Sequence, residues 1–212
     1  MLAILGLSVV MSACVTGGIE PIVRPTPPGP GWTVHTLLKA RVAIALPDTW
    51  IVVEIQRPNS PTFPPTQSPA LVSQLTPVLT DLTQREARLF AYDPSTPIEP
   101  VQPPPFPAML YLNAASSTQL NLDEVAKKLP TEPPGRTVID SRRLDGAAGN
   151  RLVQRIREVR VRPDGTNETT IQVVVLLPRG GYLNTLVMQV PESVFPQYAM
   201  TLDQIATSFA PF

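Results

Sequence analysis

Short apolar segments separated by turn residues run along most of the chain, which is the pattern of β-strands. Large and small side chains alternate over residues 41–46, a Pro-Asp-Thr turn follows, and an apolar run covers 50–55, so this region predicts a β-hairpin. The segment 170–177 is apolar at consecutive positions, which indicates a central strand covered on both faces. Further strands are predicted at 87–92, 108–112, 137–143, 151–162 and 182–190.

Three segments show helical spacing instead. Apolar residues predict a helix over 69–85, which Pro77 should kink or divide. Asn121 and Glu124 form a capping box for a second helix that ends at Pro130. A clean amphipathic stripe predicts a third helix over 193–208; its members are Phe195, Tyr198, Leu202, Ile205 and Phe209. The expected fold is therefore α+β, an antiparallel sheet with helices packed on one side.

The N-terminal segment has a different character. Residues 2–10 are almost entirely apolar, and Ser12-Ala13-Cys14 follows. An apolar stretch, two small residues and a cysteine resemble the bacterial lipobox, in which the thiol carries lipid and the signal is cut before it. Thirteen helical residues would reach only ~20 Å, short of a ~30 Å hydrocarbon core, so a permanent span is disfavoured. We expect residues 1–13 to be a signal peptide and Cys14 to be the lipid attachment site.

Residues 15–31 contain five prolines and four glycines. This composition excludes a helix and predicts a semi-rigid tether that extends ~3 Å per proline-rich residue, or up to ~50 Å in total. The sequence thus divides into a signal peptide at 1–13, a lipidated cysteine and tether at 14–31, and a folded domain at 32–212. The expected location is extracytoplasmic, with the domain anchored by lipid to a bacterial membrane.

Composition and motifs exclude several functions. The formal net charge is zero, and few aromatic residues accompany the basic ones, so nucleic acid is not an expected partner. The single cysteine allows neither an intramolecular disulfide nor a thiolate metal site. His35 is the only histidine, and no nucleophile elbow, zinc-binding helix or phosphate loop is present. We expect no catalytic residues, metal or cofactor, although scattered carboxylates leave a paired-carboxylate hydrolase as an alternative.

Arginine density is the one unusual charge feature, with eight of the fourteen arginines between residues 136 and 162. Strand geometry places some of them on a single face, which we treat as a hypothetical anion-binding face for an envelope protein, an anionic polymer or lipid head groups. The alternative is a solvated face whose acids come from neighbouring strands. Arg160 and Arg162 join the face only if a bulge lies near Glu158; the full set is Arg151, Arg155, Arg157, Arg160 and Arg162.

Two short motifs carry a family resemblance. The segment VAIALPDTW at 42–50 and the closing helix ending in IATSF at 205–209 resemble the corresponding parts of PsbP-like domains. The resemblance implies a PsbP-like sandwich with Trp50 and Phe209 in its core, and a non-catalytic binding or assembly role. The proline-rich segments 58–69 and 93–107 depart from the family pattern. An envelope-polymer hydrolase and a purely structural spacer remain the alternatives, and the oligomeric state is left open.

Overall fold

The computed structural model describes residues 25–55, 63, 67–96, 106–116, 122–128, 135–145, 149–161, 165–179 and 181–211. The predicted signal peptide, Cys14, Asn121, Pro130 and Arg162 lie outside these ranges. In chain order the elements are β1 (Trp32–Leu37), β2 (Val42–Pro47), β3 (Ile51–Glu54), α1 (Pro69–Gln84), β4 (Leu89–Tyr92), β5 (Met109–Ser116), α2 (Leu122–Lys128), β6 (Arg136–Leu144), β7 (Arg151–Val161), β8 (Asn167–Arg179), β9 (Tyr182–Pro191), a 3₁₀ turn (Glu192–Val194), α3 (Phe195–Ser208) and β10 (Ala210–Pro211).

A seven-stranded antiparallel sheet forms the body of the domain, in the order β3-β4-β5-β9-β8-β7-β6. β8 pairs with β9 on one side and β7 on the other, and residues 170–177 within it are buried on both faces. The prediction of a two-sided central strand is therefore confirmed. β6 forms one edge of the sheet, and the four-residue strand β3 forms the other.

A second, three-stranded sheet has the order β1-β2-β10. The predicted hairpin of 41–46 with 50–55 is wrong, because β2 lies in this small sheet whereas β3 pairs with β4 in the large one. β2 pairs with β1 along one edge, and its residues Val42 and Ala43 pair with β10 along the other. The turn at residues 47–49 carries the chain from one sheet to the other. β1 and β10 were not predicted.

The α+β class is confirmed, and both faces of the large sheet are covered. The face that carries Val173 and Val175 packs against α3 and the small sheet; we call it the α3 face. The opposite face, with Val174 and Leu176, packs against α2, and α1 covers its other end; we call it the α1/α2 face. Helices occupy two sides rather than one because the sheet has apolar residues on both. Trp50 and Phe209 are core residues on the α3 face, as the resemblance implied.

The helices follow their sequence signals closely. Ser68 caps α1, where its Oγ accepts from Leu71 N at 3.3 Å. α1 continues through Pro77 without being divided, because the missing N–H falls on the exposed side, where water can bond the Ser73 carbonyl. Within the described ranges, no helix is long and apolar enough to cross a bilayer.

Candidate functional site: the arginine-rich strands

Three of the predicted arginines lie on one face of β7. Arg151, Arg155 and Arg157 are spaced by multiples of two residues, and all three reach partners in α3 or in the 3₁₀ turn before it. They therefore project from the α3 face of the large sheet. The anion-binding role of this face stays a prediction, and the partners of each side chain define what the face can do chemically.

Arg151 is only 7% exposed and closes the C-terminal end of α3. Its Nη1 donates to Phe209 O at 2.6 Å, Thr207 O at 2.8 Å and Ala206 O at 3.2 Å. Carbonyl groups at the C-terminal end of a helix have no N–H partners within the helix, and these three lie at that end of α3. No basic residue occupies the last turn of α3 itself. A strand arginine supplies the missing cap. Burial lowers the pKa of Arg151.

Arg155 and Arg142 converge on the α3 side chain Asp203. Arg142 Nη2 lies 2.9 Å from Asp203 Oδ1, and Arg155 Nη2 lies 3.8 Å from the same oxygen. The Arg155 guanidinium also stacks 5.1 Å from the ring centroid of Phe195, at the start of α3. One carboxylate thus contacts two strand arginines and ties α3 to both β6 and β7.

Arg157 forms a two-pronged ion pair with Glu192 of the 3₁₀ turn, with distances of 2.7 and 3.1 Å. The hydrogen bond from Arg157 lowers the pKa of Glu192, and the same bond raises the pKa of Arg157. Both side chains are close to half exposed. The three β7 arginines of the α3 face thus have acidic or carbonyl partners, which come from α3 and its two ends rather than from neighbouring strands.

Arg160 lies on the opposite, α1/α2 face. The pairing of β7 with β8 continues without a register shift from Leu152 to Val161, so the bulge that would have moved Arg160 is absent from this stretch. The register irregularity of this region lies instead in β6, between Val138 and Asp140. Arg162, the fifth member of the predicted face, lies outside the described residues.

Glu158 gathers the charges of the α1/α2 face and is fully buried. Arg160 Nη2 lies 2.8 Å from Glu158 Oε2, and Arg136 Nε lies 3.1 Å from Oε1. Gln172 also donates to this carboxylate and, at 3.3 Å, to Gln189 Oε1. The buried charge is therefore paired twice and hydrogen-bonded, as a charge in an interior must be. Sequence analysis assigned Glu158 no role beyond marking the position of a bulge.

A further polar cluster ties α3 to the base of the second proline-rich segment. Tyr198 donates to Asp93 Oδ2 at 2.8 Å and lies 3.2 Å from Thr96 Oγ1, which in turn accepts from Ala108 N. Burial is the main cause that raises the pKa of Tyr198 to about 12. The cluster joins the two ends of the segment between β4 and β5 and holds them against α3.

Among the residues that the structure describes, the two buried carboxylates, Asp93 and Glu158, do not form a catalytic pair. Asp93 contacts Tyr198, which belongs to the core of the α3 face, whereas Glu158 belongs to the α1/α2 face. The seven-stranded sheet therefore separates them, and paired-carboxylate hydrolysis needs two acids on either side of one bond. In the part of the chain that the structure describes, no three His, Cys, Asp or Glu side chains cluster as metal ligands would. His35 is half-buried in β1.

Fold and site together define a class: a two-sheet α+β domain whose arginines fasten helices to strands. No family model and no curated protein sequence matches the chain. The solved structure of cyanobacterial PsbP (CyanoP) from Synechocystis sp. PCC 6803 is similar at a TM-score of 0.54 and 12% identity, covering 95% of this chain and 99% of that one. The fold is PsbP-like, as the sequence motifs indicated.

Two other solved structures are similar at lower scores. LpqN of Mycobacterium tuberculosis, described as involved in cell envelope biogenesis, has a TM-score of 0.46 and 12% identity over 88% of this chain and 90% of its own. The Ran-binding protein Mog1p of Saccharomyces cerevisiae has a TM-score of 0.48 and 12% identity over 85% of this chain and 95% of its own.

Proposed function

We propose that this protein is an extracytoplasmic bacterial lipoprotein, anchored through Cys14, whose PsbP-like domain acts by binding rather than by catalysis. One observation carries the proposal: the apolar segment 2–10, the Ser-Ala-Cys motif and the Pro/Gly-rich stretch stand in that order before a domain whose first strand begins at Trp32. A lipid anchor followed by a stiff spacer is how such a domain is held near a bilayer.

The separation of the two buried carboxylates supports a binding role over hydrolysis. We propose an envelope protein or anionic polymer as the partner, held by a basic rim along β6 and β7. The rim consists of arginines that are ion-paired yet 40–48% exposed, so part of each guanidinium stays accessible to an external acceptor. They are Arg142, Arg143, Arg157 and Arg160.

The anchor is tested by expressing the full chain in bacteria supplied with an alkyne-bearing fatty acid. The expected product carries the label, sediments with membranes, and yields a mature N-terminal peptide that begins with a diacylglyceryl-modified Cys14. Cys14→Ser should abolish the label and leave the domain folded. A wild-type product with a free thiol and all thirteen preceding residues would refute the anchor.

The binding role is tested by co-sedimentation of the protein with isolated envelope fragments at physiological salt. We expect Arg143→Gln with Arg160→Gln to weaken retention severalfold. Lys127→Gln with Lys128→Gln makes an equal charge change on the adjacent helix α2, outside the rim, and should preserve retention. Equal retention by both double variants would remove the basic rim from the proposal. Release of new reducing ends from purified envelope polymer, a step that a binding module does not perform, would favour the hydrolase.

A further inference from the structure

The turn between β1 and β2 exposes a leucine that is followed by two cationic residues. Leu38 is 75% exposed, and Lys39 and Arg41 beside it are also exposed. Neither cationic side chain forms an ion pair or a side-chain hydrogen bond in the described part of the chain, which contrasts with the paired arginines of β6 and β7. We call residues 38–41 the β1–β2 tip.

Exposed apolar residues are common on protein surfaces, so exposure alone assigns no role. The other exposed large apolar residues of the described chain differ in their neighbours: Ile139 and Tyr182 have no cation within two residues. Met200 is 74% exposed on α3 with no cation within two residues, and Val161 follows an arginine already bound to Glu158. Among described residues, only the β1–β2 tip has an exposed large apolar side chain with two unpaired cations within three residues.

The β1–β2 tip is presented on a rigid base. Backbone bonds from Ala40 N to Leu37 O at 3.1 Å and from Arg41 N to Leu38 O at 3.2 Å close the turn. Ala40 and Val42 are buried, and β10 pairs with Val42 directly beside the turn. Arg41 has φ 53°, a left-handed conformation that favours glycine or asparagine. Arginine therefore occupies a backbone position that disfavours it.

We propose that the β1–β2 tip docks on an anionic bilayer, with Leu38 among the lipid head groups and Lys39 and Arg41 on lipid phosphates. An apolar residue that enters the interface beside cations that bind anionic lipid is the chemistry of peripheral membrane contact. β1 spans about 20 Å, and the predicted tether reaches up to ~50 Å, so an anchored domain can bring this tip back to the same surface.

This inference rests on the proposed membrane location, and its test is made independent of lipidation. The full chain carries Cys14→Ser, and a polarity-sensitive fluorophore is attached at Leu38→Cys in one protein and at Met200→Cys in the matched control. Each is mixed with vesicles of phosphatidylglycerol and phosphatidylcholine or of phosphatidylcholine alone, which are recovered by flotation, or with a lipid-free envelope protein extract. Emission wavelength and iodide quenching then report whether each probe is in water.

We expect the probe at position 38, and not that at 200, to shift to the blue and resist iodide on anionic vesicles only. A cation near an anionic surface strengthens binding about fivefold. Lys39→Gln with Arg41→Gln should therefore lower the ratio of docked to undocked tips roughly twenty-fivefold. The proposal is overturned if both probes stay equally water-exposed on floated chains, if the chain does not float with anionic vesicles, or if position 38 is protected only by a lipid-free envelope protein extract. A lipidated wild-type chain with an undocked tip would leave the anchor intact and remove only this inference.

Discussion

Replacing Arg151 by methionine tests whether one strand side chain secures the end of α3. Methionine matches much of the arginine stem in volume but offers no donor to the carbonyls of Ala206, Thr207 and Phe209. Each buried acceptor left without a donor costs about 1–3 kcal/mol. The sum is reduced because removal of the guanidinium also recovers its desolvation cost, the same effect that lowers the pKa of Arg151. We therefore expect a loss of about 3 kcal/mol in the free energy of unfolding.

Urea unfolding followed by far-ultraviolet circular dichroism measures this loss. With a urea m value of about 2 kcal/mol/M for a domain of this size, the midpoint should fall by about 1.5 M. Arg151→Lys keeps the charge with fewer directed donors and should lose about half as much. Arg157→Met is the matched control, because it makes the same substitution on the same strand face at an exposed ion pair and should barely move the midpoint. A midpoint for Arg151→Met that equals that of Arg157→Met would refute the capping role.

Three further substitutions probe other parts of the fold. Glu158→Gln leaves two arginines without their shared buried carboxylate and should cost about 3–5 kcal/mol in chemical unfolding, an expectation that a loss under about 1 kcal/mol would contradict. The pKa of Tyr198 rises from 10.0 to about 12 on folding, so its contribution to stability is present below pH 10 and is lost as pH rises towards 12. The urea midpoint of the wild type should therefore fall over that interval. Tyr198→Phe should make this fall smaller, whereas the exposed control Tyr182→Phe should leave it unchanged. Gly135→Ala places a Cβ 2.5 Å from a carbonyl oxygen of β7 at a positive φ, and it should lower the free energy of unfolding by about 3 kcal/mol in thermal unfolding. Gly181→Ala, with φ 80° and open space around the Cβ, should lower it by only about 1 kcal/mol. Equal losses would show that the contact does not matter.

Local patterns in the sequence predicted much of this fold because they depend on neighbouring residues. The stripe from Tyr198 to Phe209 specifies a helix by its spacing and is buried as expected. The apolar run of 170–177 likewise required cover on both faces. The hairpin error has the opposite origin: β2 is buried at all but its last position and bonded on both edges, and one partner strand lies at the far end of the chain. No local signal identifies a partner at such a distance.

The arginine site shows the same limit. Period-two spacing correctly put Arg151, Arg155 and Arg157 on one side, since strand geometry is local. Their partners are Asp203, Glu192 and the end of α3, which tertiary packing brings together. An arginine that caps a helix and one that awaits a ligand look alike in a sequence, because the difference lies in the atoms opposite each of them.

The small sheet also sets the order in which this domain can be completed. Ala45 in β2 and Ser208 at the end of α3 share a hydrogen bond of 3.0 Å across a separation of 163 residues. β2 cannot form its bonds to residues 208–211 until those residues have left the ribosome. Contacts between such distant residues also form slowly, because closing a long loop costs conformational entropy. The small sheet is therefore completed last, after all seven strands of the large sheet have been synthesised.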